Sequence, residues 1–82
     1  MVERTITVNN YLEPSAVALL VQAASKYDCR VSLAIDEKTA NAKSIMGIIS
    51  LNMQEGQSLT ITAAGAEAEQ AVTTMEQFFA RA

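Results

Sequence analysis

The sequence predicts an α+β fold in which a four-stranded antiparallel sheet carries three helices on one face. Three observations predict it. Three stretches alternate apolar and polar residues with a period of two, two others repeat apolar residues at helical spacing, and between them a polar turn into a short strand and a serine-headed apolar run complete the order β-α-β-β-α-β-α. Half of the 82 residues are hydrophobic and 18% are charged, so the chain has the apolar content for one small core and reads as a single domain over residues 1–82.

The first strand places Val2, Arg4, Ile6 and Val8 on one side and Glu3, Thr5 and Thr7 on the other. A loop from Asn9 to Glu13 follows, and Pro14 suits a first helical position, where its missing N–H would be unpaired in any residue. From Ala16 the period turns helical. Val17, Leu20, Val21 and Ala24 form one face, Tyr27 extends it by a turn, and Asp28-Cys29 ends it. Val31, Leu33 and Ile35 mark a second strand, Asp36-Glu37-Lys38 a polar turn, and Thr39 to Ala42 a short third strand. The apolar run Ile45 to Leu51 fits strand or helix by periodicity. Ser44 in front of it is a favoured N-cap, which selects a short helix. Gly56 marks a turn, Leu59, Ile61 and Ala63 a fourth strand, and Gly65 a break before a last helix with Ala68, Ala71, Val72, Met75 and Phe79 on one face.

The residue inventory excludes several function classes. There is no histidine, which closes the Ser-His-Asp triad, His-ligated metals and phosphoryl transfer through an imidazole. One cysteine, Cys29, cannot close an intramolecular disulfide, and a reducing, cytoplasmic setting is expected. No apolar run approaches the roughly 20 residues of a membrane span, and no signal-like N-terminal segment is visible. Net charge is −3, without a basic stripe, which argues against direct nucleic-acid binding and leaves proteins as the expected partners. Glu67, Glu69 and Glu76 read as a solvated helix face rather than a metal site, and no cofactor is expected.

The stretch Asn41-Ala42-Lys43-Ser44-Ile45-Met46-Gly47 carries the most chemistry. It puts a hydroxyl at a helix start, a cation just before it, and apolar side chains on the turns that follow. Ser44 has two readings: a cap worth about 1 kcal/mol against alanine, or an acceptor whose phosphate would meet free N–H groups. Ile45, Met46, Ile49 and Leu51 also have two, core packing or an exposed protein-binding patch beside Lys43, because so short a helix cannot bury every apolar residue it carries.

The phrase NAKSIMGIISL, preceded by LLVQAASKYDCRVSL and followed by LTITAAGAEAEQAV, strongly resembles HPr, the small histidine-phosphorylated carrier of the bacterial sugar phosphotransferase system. The resemblance covers nearly the whole chain and implies the HPr-like open-faced β-sandwich. It implies that Ser44, the serine of the KSIMG motif, is the target of an HPr serine kinase/phosphorylase. It implies further that Lys43, Ile45, Met46, Ile49 and Leu51 dock partners such as enzyme I or a catabolite-control transcription factor. The family's GxHARPA loop is where the chain departs. Aligned back from Leu20-Val21-Gln22 with a short deletion, Glu13 stands at the phospho-acceptor histidine and Ser15 at the arginine beside it.

The expected function is therefore that of a histidine-lacking, Crh-like member: not an enzyme and not a carrier, but a cytoplasmic regulatory protein of carbon catabolite repression switched by serine phosphorylation. The alternative is a constitutive docking or decoy protein for enzyme I or a sugar permease component, with Ser44 only a cap. In that reading the Glu13 carboxylate partly imitates the charge of a phosphohistidine; otherwise it marks a decayed site. Monomer and domain-swapped dimer both stay open.

Overall fold

In a computed structural model the protein is described over residues 1–9 and 13–80. Residues 10–12 of the expected loop after the first strand lie outside the described residues. The elements are β1 (Val2–Thr7), α1 (Pro14–Ser25), β2 (Cys29–Ile35), β3 (Lys38–Asn41), α2 (Ile45–Leu51), β4 (Ser58–Gly65) and α3 (Ala68–Ala80). This is the expected order. The strands form one sheet, β1-β4-β2-β3, and every neighbouring pair is antiparallel.

Side chains alternate across the sheet as the period of two requires. On the helix side, β2 contributes Val31, Leu33 and Ile35 and β4 contributes Leu59, Ile61 and Ala63, all buried. On the other side Ser32, Ala34, Thr60, Thr62 and Ala64 remain half-buried, so helices cover one face only. The helices close the core with Val17, Leu20 and Ala24, with Ile48 and Leu51, and with Ala68, Ala71, Val72, Met75 and Phe79. Burial of this apolar surface, at about 25 cal/mol per Å², is the main force holding the layers together.

Two boundaries and one helix face differ from the sequence pattern. α1 ends at Ser25, so Tyr27 packs on the core from beyond the helix, and its hydroxyl lies 2.6 Å from Thr74 Oγ1 on α3. Lys38 belongs to β3, paired with Ile35, because Asp36 at φ 55° lets a tight turn close on two residues. Glu67 and Glu76 do not sit on a solvated face. The Glu67 carboxylate accepts the Asp28 N–H at 2.7 Å, and Glu76 binds the Arg4 guanidinium, which also reaches Glu69 at 3.1 Å. Arg4 thus occupies the apolar side of an edge strand by turning its charged end to α3.

Gly65 ends β4 at φ +137°, and a Cβ there would stand 2.8 Å from Cys29 Cα on β2. Only glycine satisfies both the backbone angle and that approach.

Candidate functional site

Two places carry the chemistry singled out in the sequence: the front of α1 and the β3–α2 junction. At the first, Glu13 holds an extended conformation (φ −67°, ψ 157°) one residue before the helix, with Pro14 at its start. Its carbonyl accepts the Val17 N–H at 3.0 Å, while its carboxylate makes no cap bond. Glu13, Pro14 and Ser15 are all exposed. Among the described residues, no side chain caps the N–H groups of this first turn, and Ser15 places a hydroxyl there.

At the second, hydrogen bonds hold every backbone N–H from Ala42 to Ser44. Ala42 is buried and donates to Val31 O at 2.8 Å, Lys43 N–H donates to Asn41 Oδ1 at 2.8 Å, and Ser44 N–H donates to Asn41 O at 3.0 Å. The Asn41 side chain folds back on its own chain two residues on, the local bond that asparagine makes readily. Ser44 then adopts φ −118° and ψ 114° as the N-cap, and its Oγ accepts the Gly47 N–H at 3.1 Å. Its carbonyl accepts from Ile48 N at 3.1 Å, starting the helix. At the far end Asn52 takes the left-handed conformation, φ 50° and ψ 53°, and its N–H closes on Ile49 O.

The apolar residues of α2 divide as helical geometry demands. Ile48 and Leu51 face the core, while Ile45, Met46 and Ile49 are exposed, Met46 at 72%. Leu51, expected in the docking set, is corrected here: it is 4% exposed and part of the core, because it lies three residues beyond Ile48 on the same face. Lys43, expected as a surface contact, is half-buried, and its ammonium donates inward to the Tyr27 carbonyl at 2.9 Å.

An exposed apolar residue of α1 escaped the sequence reading. Leu19, 57% exposed, lies on α1, which packs against α2. Its signal was available: it falls off the Val17, Leu20, Val21, Ala24 stripe, so the core cannot take it. Cys29 is half-buried at the start of β2 and free. Among the described residues no group of three or more carboxylates and thiols is placed to hold a metal ion, and no helix is long and apolar enough to cross a membrane.

Comparison with known proteins agrees with this geometry over almost the full length. The family described as "PTS HPr component phosphorylation site" matches residues 2–81. The phosphocarrier protein HPr of Treponema pallidum (strain Nichols) is 36% identical over 81 residues, covering 96% of this chain and 92% of its own. The crystal structure of a phosphocarrier protein HPr from Bacillus anthracis str. Ames superposes with a TM-score of 0.89 at 38% identity, covering 95% of each chain. Crh, the catabolite repression protein of Bacillus subtilis, matches with a TM-score of 0.76 at 32% identity, covering 99% of this chain and 91% of that one. Its crystal structure is described as a dimer with a swapped domain.

Proposed function

Because the chain belongs to the HPr family of the phosphotransferase system, whose curated relative is a phosphocarrier, we propose that it is a non-carrier branch of that family, switched by phosphorylation of Ser44 and acting through protein–protein contacts. The observation that carries this reading is the absence of any histidine from the 82 residues, combined with an intact Lys43-Ser44-Ile45-Met46-Gly47 phrase. Phosphoryl carriage in this family needs an imidazole, and no register of the alignment supplies one. Glu13 has no cation at the position of Ser15 to steady a transferred phosphoryl group. What persists is the serine half of the surface.

In the proposed reaction Ser44 Oγ attacks the γ-phosphorus of ATP, ADP leaves, and the hydroxyl proton passes to a base on the kinase. The product places a dianion at the start of α2, next to exposed Ile45, Met46 and Ile49. Its new oxygens can take over the Gly47 N–H that Oγ accepts in the unmodified protein, so the helix start survives. A partner that reads charge and apolar surface together would then bind one state over the other. An HPr serine kinase/phosphorylase would write and erase the mark. A catabolite-control transcription factor would read it, with enzyme I a further partner for the apolar patch.

The test is intact mass after incubation with a Gram-positive HPr serine kinase and ATP, beside a sample with enzyme I and phosphoenolpyruvate. One phosphate gained with the kinase and absent from Ser44→Ala is the expected result. No phosphate in either tube overturns the switch and leaves a constitutive docking protein in which Ser44 is a cap. A phosphate from enzyme I overturns the non-carrier reading.

A further inference from the structure

Of the three lysines, Lys26 and Lys38 are exposed and Lys43 alone is half-buried. Its ammonium leaves the surface to meet the Tyr27 carbonyl at 2.9 Å. That carbonyl also accepts the Cys29 N–H at 3.0 Å and lies just past the C-terminal end of α1, where a cation is electrostatically favoured. The bond spans sixteen residues of sequence and ties the β3–α2 junction to the α1–β2 junction. The second junction is itself fixed to α3 and the turn before it, through Tyr27 on Thr74 and through Glu67 on Asp28. Ala42 seats the segment in the core, and among the described residues Lys43 is the side chain of the Asn41–Ser44 segment whose hydrogen bond reaches a distant part of the molecule; the Asn41 side chain bonds within the segment.

We propose that Lys43 is a positioning residue for Ser44: its strut to Tyr27 O, rather than any contact with a partner, holds the serine hydroxyl in the one conformation a kinase can use. This rests on the Ser44 reading above. A segment held in its reactive conformation binds the enzyme without first being ordered, so loosening it lowers the competent fraction and raises KM in proportion while leaving kcat unchanged. A role in stability alone would leave KM untouched, and a direct contact with the kinase would leave the free protein's dynamics untouched.

The experiment compares wild type, Lys43→Met, which keeps the aliphatic stem, Lys43→Arg, which keeps the charge, and Arg4→Met. The last removes the bond to Glu69 and Glu76 far from Ser44 and serves as a destabilised control. Each is assayed well below its unfolding temperature for kinase KM and kcat, and for amide hydrogen exchange at Ser44 and Gly47. Lys43→Met is expected to raise KM by about threefold or more, the loss of roughly one hydrogen bond's worth of order, with kcat unchanged and faster exchange at both amides. Lys43→Arg should recover most of both effects, and Arg4→Met should show neither. A wild-type KM in Lys43→Met, or a raised KM without faster exchange, overturns the proposal. A wild-type protein that takes no phosphate overturns the Ser44 reading and this one with it, whereas the other failures leave phosphorylation of Ser44 intact.

Discussion

Replacing Ser44 with alanine separates what the residue does for the fold from what it does for signalling. The substitution removes one acceptor, the Oγ that takes the Gly47 N–H at 3.1 Å, and leaves that donor at the front of a seven-residue helix. N-cap losses of this kind cost about 1 kcal/mol, within a range of about 0.5–2. For a domain of this size each kcal/mol lowers the melting temperature by about 4–8 °C, so Ser44→Ala should melt about 4–8 °C below wild type. Ser44→Asp behaves differently. Aspartate is as good an N-cap as serine and its charge suits the helix start, so it should stay within about 0.5 kcal/mol of wild type. Thermal unfolding followed by far-ultraviolet circular dichroism, with amide exchange at Gly47, measures both. Equal melting temperatures for Ser44→Ala and wild type, or an Asp variant as unstable as the Ala variant, would refute the cap.

Two further substitutions test the scaffold and the surface. Gly65→Ala should lose about 2–4 kcal/mol in urea denaturation, because the new methyl meets Cys29 backbone at 2.8 Å and φ is +137°; a loss under about 0.5 kcal/mol would mean the β2–β4 end is not so closely packed. Met46→Ser, at a 72% exposed position, should change stability by less than about 0.5 kcal/mol yet weaken binding of the phosphorylated protein to its partner, whereas Ile48→Ala should cost about 2–5 kcal/mol; similar stability losses for the two would show that α2 presents a different face.

The element order was legible because β1, β2 and β4 keep the period of two and α1 and α3 keep their stripes. Even α2, ambiguous by periodicity, was settled by Ser44 as a cap. What the pattern did not show has a common cause: it counts apolar residues and is blind to where long polar side chains turn. Arg4 sits in the apolar row of β1, yet nothing local says that it reaches α3. Glu67 looks like a first-turn acid but caps a peptide on another junction. Lys43 reads as a surface cation until the fold brings Tyr27 O beside it. Leu51 was misplaced for a different reason, since composition gives the number of apolar residues on a short helix and only the helix phase gives which of them face inward.

The two halves of the surface differ in how tightly the fold holds them. Glu13, Pro14 and Ser15 are exposed, and among the described residues neither the Glu13 carboxylate nor the Ser15 hydroxyl bonds another part of the molecule, so these positions can change with little cost to stability. The serine half is different. Asn41, Lys43, Ser44 and Gly47 share a set of hydrogen bonds, and a Cβ at Gly47 would come within 3.3 Å of Ser44 Oγ and 3.5 Å of Ala40 Cβ. The cap bond is reason enough for serine at 44, and the close approach to its Oγ favours a small residue at 47, so their presence does not by itself distinguish a phosphorylation switch from a cap. A variant that keeps the cap and removes the acceptor does. Asparagine caps as well as serine and takes no phosphate, so Ser44→Asn should retain the wild-type melting temperature. If Ser44 is a switch, that variant is locked in the unmodified state and loses every phosphorylation-dependent contact; if Ser44 is only a cap, its partner binding is indistinguishable from wild type.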